Sequence, residues 1–202
     1  VRIHGAAPTL VFLHEGLGSV SAWRDFPHRL AEATGRAAVI YSRWGYGQSE
    51  PVALPRSLQF MHDEAYRTLP ELLAALEIGD AVLIGHSDGA SIALVYAGAI
   101  GARLRGLILQ APHVFVEEVC VQAITRIRHE YASTDLRSRL ARHHADPDGA
   151  FYGWADAWLD PDFRRWNLEP FLPGVCVPSL VIQGADDPYG TLAQVEAVCN
   201  QV

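Results

Sequence analysis

The stretch AVLIGHSDGA, residues 81–90, decides the fold. Its first half, Ala81 to Gly85, is a short apolar run of the kind that forms a buried strand, and a helical pattern begins at Ala90. The pattern Gly-x-Ser-x-Gly, from Gly85 to Gly89, lies between them, in the strand-turn-helix context that this motif requires. We therefore predict that Ser87 lies on a sharp turn with its hydroxyl exposed.

A serine held in this way is predicted to act as a nucleophile. The N–H of Asp88 then faces any oxyanion that forms, and the helix N-terminus adds a favourable partial charge there. The alternative is that Ser87 only caps the helix. The carboxyl of Asp88 has three candidate roles: it complements the helix dipole, it repels anionic substrates, or its pKa is raised by its site.

Strands alternate with helices on both sides of this stretch. Further short apolar runs predict strands at residues 9–14, 37–42, 104–110 and 179–183. Helical patterns predict helices at residues 21–33, 58–76, 90–100 and 192–199. Nearly continuous hydrophobicity in the strands is typical of a parallel sheet that is covered on both faces. The predicted fold class is therefore α/β, with a mostly parallel, doubly wound sheet and helices on both faces.

The alternation fails between residues 113 and 174, where only helical segments are predicted. We expect residues 113–174 to form a helical lid, inserted into a core made of residues 1–112 and 175–202. The aromatic residues of this insertion include Phe151, Tyr152, Trp154, Trp158, Phe163 and Trp166. They either attach the insertion to the core or line an apolar pocket over the active site.

Composition excludes several classes of protein. The chain has 202 residues, of which 50% are hydrophobic, and this predicts one globular domain. Its net charge of −7, with arginine as the only basic residue apart from histidine, argues against nucleic acid or an anionic membrane as a partner. The 3 cysteines are far apart and form no C-x-x-C pair, which argues against a zinc site and favours a reducing, cytoplasmic location.

Taken together, the motifs resemble the α/β-hydrolase superfamily, in which a serine nucleophile works under a helical lid. Besides the serine turn, the resemblance rests on three segments, which occur in the family's order and spacing: His14-Glu15-Gly16-Leu17-Gly18, Arg43-Trp44-Gly45-Tyr46-Gly47-Gln48-Ser49 and Gly184-Ala185-Asp186-Asp187. They span most of the chain. The resemblance implies a small-molecule substrate and neither a cofactor nor a metal. It also implies a fragment that lacks both ends of the family's fold.

The resemblance assigns the second half of an oxyanion hole to the loop that begins at His14. Family members donate the N–H of the residue after a His-Gly pair, and that position here is Gly16. The sequence departs from the family at Glu15, where glycine is usual, and so the choice between Glu15 and Gly16 stays open. For His14 and for Arg43 the resemblance implies structural roles, with His14 bracing the loop.

The acid and the base are assigned from the family's order of serine, acid and histidine. The Gly-x-x-Asp pattern selects Asp187 as the acid, with Asp186 as the alternative. No histidine follows Asp187, because the last one in the sequence is His144. The catalytic histidine is therefore expected beyond Val202, and these 202 residues are expected to be inactive or nearly so. His113 is the alternative, as a substitute base.

The leading functional hypothesis is a hydrolase that uses Ser87 on ester-like small-molecule substrates. The same triad also supports hydrolysis of a carbon–carbon bond or haloperoxidase chemistry without a cofactor. A hypothesis from another class is a relative that binds a ligand without catalysis. A non-catalytic protein has no need of Ser87, Asp187 and the oxyanion glycine together, and this weighs against it.

Overall fold

A computed structural model of the protein describes residues 1–101 and 103–202, and a six-stranded sheet forms its centre. The strands are β1 (Arg2–Ile3), β2 (Ala6–Leu13), β3 (Arg36–Ile40), β4 (Ala81–His86), β5 (Leu104–Gln110) and β6 (Ser179–Ile182). They lie in the order β1-β3-β2-β4-β5-β6, and all neighbours are parallel except β1, which runs antiparallel to β3. This confirms the predicted α/β class with a mostly parallel sheet. Strand β1 was not predicted, because two residues carry no periodicity.

Helices fill the connections between the strands. The α-helices are α1 (Phe26–Thr34), α2 (Phe60–Asp63), α3 (Leu69–Ala75), α4 (Asp88–Ala99), α5 (Glu118–Ser133), α6 (Leu136–Leu140), α7 (Pro147–Leu159) and α8 (Leu192–Gln201). Three short 3₁₀ helices occur at Ser21–Trp23, Pro161–Arg165 and Glu169–Gly174, and a π-helix at Glu64–Thr68. The predicted helix 21–33 is thus divided, because Arg24 adopts a positive φ of 53° between its two parts.

The single helix predicted for residues 58–76 is three consecutive segments, namely α2, the π-helix and α3. Pro70 lies in the first turn of α3, where its missing N–H leaves no intrahelical hydrogen bond broken. The π-helix lies directly before it, at Glu64–Thr68. The backbone stays helical at Thr68 and Leu69, so Pro70 lies within a continuous helical run, directly after the π turn.

The sheet separates two hydrophobic cores. Along β2, Leu10 and Phe12 belong to one core, together with Ala31 of α1. Val11 and Leu13 alternate with them and face the other core, which contains α4. Helices therefore cover both faces of the sheet, as the nearly continuous hydrophobicity of the strands predicts.

Between β5 and β6 the chain forms α5, α6, α7 and two of the 3₁₀ helices. The predicted aromatic residues of this region are buried, except Tyr152, which is half-buried. They share a core with residues of β2, β4 and α4, and so they attach this region to the sheet. The division into a core and a lid at residues 113 and 174 stays a prediction.

The parallel strands bring several loops to one edge of the sheet. Strands β2 to β6 all end at this edge, and the loops that follow them begin near His14, Tyr41, Ser87, Ala111 and Gln183. In the register of the sheet, the Ser87 N–H donates to the Gln110 carbonyl and the Ala111 N–H donates to the Ile182 carbonyl. Ser87 therefore lies level with the start of the Asp187 loop, about 10 Å away across one strand.

Candidate active site

Ser87 lies on the sharp turn that the sequence predicts. Its backbone has φ 52° and ψ −118°, a conformation that a residue with a side chain rarely adopts. The turn is fixed on both sides, because the Ser87 N–H donates to Gln110 and the Ser87 carbonyl accepts from the N–H groups of Ala90 and Ser91. Strained backbone of this kind persists only where the surrounding structure enforces it, and it is concentrated at functional sites.

Two glycines allow the strand and the helix to come together at this turn. A Cβ on Gly85 would lie 2.5 Å from the backbone of Ala90. A Cβ on Gly89 would overlap the carbonyl oxygen of Leu13, at the end of β2. Both positions therefore require glycine, and Gly89 also brings α4 against the loop that follows His14.

Backbone donors beside Ser87 are available for a ligand. Within the described residues, no acceptor binds the N–H groups of Gly16 or Asp88. Asp88 is the first residue of α4, so its N–H is one of the donors that a helix N-terminus leaves free. The structure thus leaves free both predicted oxyanion donors, Gly16 and Asp88, whereas the N–H of the alternative, Glu15, is hydrogen-bonded to its own carboxylate.

The Glu15 side chain does not point into the core. Its carboxylate Oε2 lies 3.5 Å from Nδ1 of His86, and each of these two side chains is about one third exposed. Burial opposes ionisation of Glu15, but the hydrogen bond and the charge of His86 outweigh it, and the pKa of Glu15 lies below its usual value. The residue that departs from the family pattern is thus an anion at the edge of the site.

His14 braces the loop, as predicted, and Arg43, which is buried, also contacts it. The His14 Nε2 accepts from the Arg43 N–H at 3.0 Å, so the imidazole proton is assigned to Nδ1, which donates to the Glu15 carbonyl at 2.7 Å. Burial, and secondarily the charge of Arg43, lower the pKa of His14 well below its usual value. The Arg43 guanidinium donates through Nη2 to the carbonyls of His14, at 3.2 Å, and Glu15, at 2.9 Å.

The Asp88 carboxyl is buried, with 1% of the residue exposed. Its Oδ1 accepts from the indole Nε1–H of Trp158 at 3.2 Å, and its Oδ2 lies 3.9 Å from Arg43 Nη2. Burial raises the pKa of Asp88, although Arg43 and Trp158 act in the opposite direction. The place of Asp88 in the first turn of α4 fits the helix-dipole role and the direction of its pKa shift fits the third role, and the choice among the three roles stays a prediction. The partner Trp158 was not predicted.

The two candidate acids differ in their surroundings. Asp187 is half-buried, and its carboxylate accepts from the Tyr189 N–H at 2.8 Å and from the Gln183 side-chain amide at 3.1 Å. Asp186 is exposed. The structure therefore fixes the Asp187 carboxylate at the edge of the sheet where Ser87 lies, and its role as the acid stays a prediction.

His113, the alternative base, is buried, with 4% of the residue exposed. Its ring packs edge-on against Trp158, with 5.1 Å between the ring centroids. Burial lowers the pKa of His113 to about 4, although the charges of Asp187 and Glu117 oppose this. Within the described residues no hydrogen bond joins His113 to the Ser87 hydroxyl.

Two histidines that follow α6 contact the loops after β2 and β3. The sequence did not predict these contacts. The Nδ1 of His143 lies 2.8 Å from the Ser21 hydroxyl. The Nδ1 of His144 accepts from the Gly47 N–H at 3.0 Å, and its Nε2 donates to the Leu17 carbonyl at 3.0 Å. These contacts connect residues more than 90 positions apart, and the sequence carries no local signal for them.

Trp154 joins α7 to the loop that follows β2. A Cβ on Gly16 would overlap the Trp154 indole, so the ring lies directly against this glycine.

Among the residues described, no group of three or more His, Cys, Asp or Glu side chains is arranged to hold a metal ion. No described helix combines the length and the hydrophobicity that crossing a bilayer requires.

Comparisons with known proteins agree with this geometry. The chain is 36% identical over 93 residues to the sn-1-specific diacylglycerol lipase ABHD11 of Danio rerio, a match that covers 46% of this chain and 28% of that relative. An esterase from Exiguobacterium antarcticum superposes with a TM-score of 0.76 at 20% identity, covering 100% of this chain and 82% of that one. For the enol-lactonase of Burkholderia xenovorans LB400 the TM-score is 0.71 at 24% identity, with 98% and 80% of the two chains covered. A family model for the alpha/beta hydrolase fold matches residues 8–171, and the chain therefore belongs to the α/β-hydrolase fold family.

Proposed function

We propose that the protein is a hydrolase that cleaves ester-type bonds of small molecules, with Ser87 as its nucleophile. The observation that carries this proposal is the backbone of Ser87, at φ 52° and ψ −118°, beside free N–H groups. A serine that only caps a helix does not need this strained conformation. The similar proteins named above are a lipase, an esterase and a lactonase, and these names all refer to acyl chemistry.

In the proposed reaction the Ser87 hydroxyl attacks the ester carbonyl and gives up its proton to a base. The carbonyl oxygen becomes an oxyanion, which the N–H groups of Gly16 and Asp88 stabilise. The carbon–oxygen bond of the ester then breaks, the proton passes to the leaving alcohol, and an acyl group remains on Ser87. Water releases this acyl group by the same steps.

We assign Asp187 as the acid that orients the base, because its carboxylate is held by Gln183 and Tyr189 at the same edge as Ser87. We propose a histidine as the base, which in the family's order follows the acid, and none of the histidines in these 202 residues follows Asp187. His113 fits this role poorly, because a base that is buried and has a pKa of about 4 is a weak proton acceptor at neutral pH.

The region from α5 to α7 contacts Gly16 and Asp88 through Trp154 and Trp158, and we propose that it forms the lid.

A fluorophosphonate probe tests the nucleophile. We expect the probe to label the chain at Ser87, slowly, and to leave a Ser87→Ala variant unlabelled. Ser21→Ala is the matched control, because Ser21 is a second serine in contact with a histidine, His143. Labelling that persists in Ser87→Ala and disappears in Ser21→Ala would reject the proposal.

A further inference from the structure

The carbonyl of Glu15 is held by three donors. It accepts from His14 Nδ1 at 2.7 Å, from Arg43 Nη2 at 2.9 Å and from the Gly18 N–H at 3.0 Å. The peptide bond between Glu15 and Gly16 is trans, so its C=O and its N–H point in opposite directions. Fixing the Glu15 carbonyl toward the interior therefore fixes the direction of the Gly16 N–H.

The same Arg43 side chain reaches the other proposed oxyanion donor. Its Nη2 lies 3.9 Å from the carboxylate of Asp88, whose own N–H begins α4 beside Ser87. Both side chains are almost completely buried, with 2% of Arg43 and 1% of Asp88 exposed. One guanidinium thus lies between the loop that carries Gly16 and the turn that carries Asp88.

Stability alone does not account for this pair. A buried ion pair loses the hydration of both charges, and apolar residues of the same volume often stabilise a protein as well or better. The separation of 3.9 Å between Arg43 and Asp88 is also longer than that of a good charge-assisted hydrogen bond. The hydrogen bonds from Arg43 to the carbonyls of His14 and Glu15 are shorter, at 3.2 and 2.9 Å, and these two bonds act on the loop.

We propose that Arg43 is a positioning residue, which orients the Gly16 N–H and holds it in register with the Asp88 N–H. This inference rests on the proposed function, because the two N–H groups matter only if an oxyanion forms at Ser87. Arg43 itself touches neither the substrate nor the reacting atoms. Its effect is specific to reactions that pass through an oxyanion.

A cysteine at position 87 separates this effect from general access to the site. In a Ser87→Cys variant, the thiolate attacks p-nitrophenyl acetate, forms a thioester through an oxyanion and releases p-nitrophenolate. The same thiolate displaces iodide from iodoacetamide without any oxyanion. The ratio of the two second-order rate constants therefore measures the oxyanion hole, largely independently of the exposure and the pKa of the thiol.

Background reaction is removed by replacing the exposed cysteines with serine, Cys176→Ser and Cys199→Ser. Cys120 is buried, and burial raises the pKa of its thiol far above the usual value, so it stays unreactive. Arg105→Met is the matched control, because Arg105 also pairs with an aspartate, Asp80, at 2.9 Å, but lies at the opposite edge of the sheet.

We expect Arg43→Met to lower the ratio of acylation to alkylation by about tenfold or more, since loss of one whole oxyanion donor costs about 10² to 10³ in rate. Arg43→Lys should lower the ratio by less, and Arg105→Met should leave it within about twofold. If Arg43→Met does not fold, Arg43→Lys decides alone. A ratio that is unchanged in the Arg43 variants, or that falls equally in Arg105→Met, overturns the inference. Failure of the proposed function looks different: the parent ratio then equals that of glutathione, a thiol without an oxyanion hole.

Discussion

The indole N–H of Trp158 donates a hydrogen bond of 3.2 Å to the carboxyl of Asp88, the residue that follows Ser87. Trp158 belongs to α7 and Asp88 begins α4, so the bond joins the region between β5 and β6 to the turn at Ser87. Both residues are 1% exposed. A buried polar group that loses its partner destabilises the protein, and this bond is therefore expected to matter for folding as well as for the site.

Trp158→Phe removes the N–H and keeps an aromatic ring. We expect the free energy of unfolding to fall by about 1–3 kcal/mol, because the Asp88 oxygen is left buried without this donor. Urea unfolding of the variant and of the parent chain measures the difference. Trp44→Phe is the control, since Trp44 is 49% exposed, and it should change stability by less than about 0.5 kcal/mol. Equal costs for the two variants would contradict the prediction.

The glycines of the turn give a second prediction. Gly89→Ala places a Cβ against the Leu13 carbonyl, and we expect it to destabilise the chain by at least about 2 kcal/mol. Gly184→Ala is the matched control, because a Cβ there meets nothing within 4 Å and its φ is not positive. Thermal unfolding compares the two variants. A Gly89→Ala chain as stable as Gly184→Ala would show that α4 does not pack on β2 as described.

Added imidazole tests whether Ser87 lacks a base in these 202 residues. Imidazole in solution accepts the serine proton, and we expect it to accelerate hydrolysis of p-nitrophenyl acetate by about tenfold, a small part of what a fixed general base contributes. Imidazole also cleaves this ester directly, so the acceleration is measured against the Ser87→Ala variant. Equal acceleration in the two chains would contradict the prediction. His113→Gln is compared in the same assay, and a large loss of the basal rate there would make His113 the base.

Local patterns predicted most of the sheet and the sharp turn at Ser87. The strand predicted at residues 104–110 has the same bounds in the structure, and those predicted at 37–42 and 179–183 differ by one or two residues. Parallel strands that are buried on both faces are apolar along most of their length, so they can be recognised in the sequence as short apolar runs. The turn at Ser87 could also be predicted, because its two glycines form a recognisable motif. Contacts within the turn require Gly85, and a contact with the end of β2 requires Gly89.

Contacts between distant segments could not be predicted. The bond from Trp158 to Asp88 joins residues 70 positions apart, and the contact between His143 and Ser21 spans 122. Neither pair forms a motif, and each depends on how the region between β5 and β6 packs on the sheet. The periodicity of apolar residues shows which face of a helix is buried, but it does not show which side chains that face contacts. The sequence alone therefore leaves three alternatives for the role of Asp88.

Acid should destabilise the folded chain, in part through His113. Burial lowers the pKa of His113 from 6.5 to about 4 in the folded state, against the charges of Asp187 and Glu117. Between these values the unfolded chain binds a proton that the folded chain does not. The contribution of His113 to stability is therefore complete above about pH 6.5 and is lost as the pH falls toward about 4. Between about pH 7.5 and about pH 5 this loss amounts to about 2 kcal/mol.

Urea unfolding of the parent chain and of His113→Gln at these two pH values measures how far the free energy of unfolding falls with pH. Between the higher and the lower pH, this fall should be smaller in the variant than in the parent by about 2 kcal/mol. A part of the decrease should remain, because burial also lowers the pKa of His14. His28→Gln is the control, since His28 is exposed, and it should keep the full pH dependence of the parent. If His113→Gln kept it too, the His113 imidazole would not be buried in its neutral form, and its packing against Trp158 would be wrong.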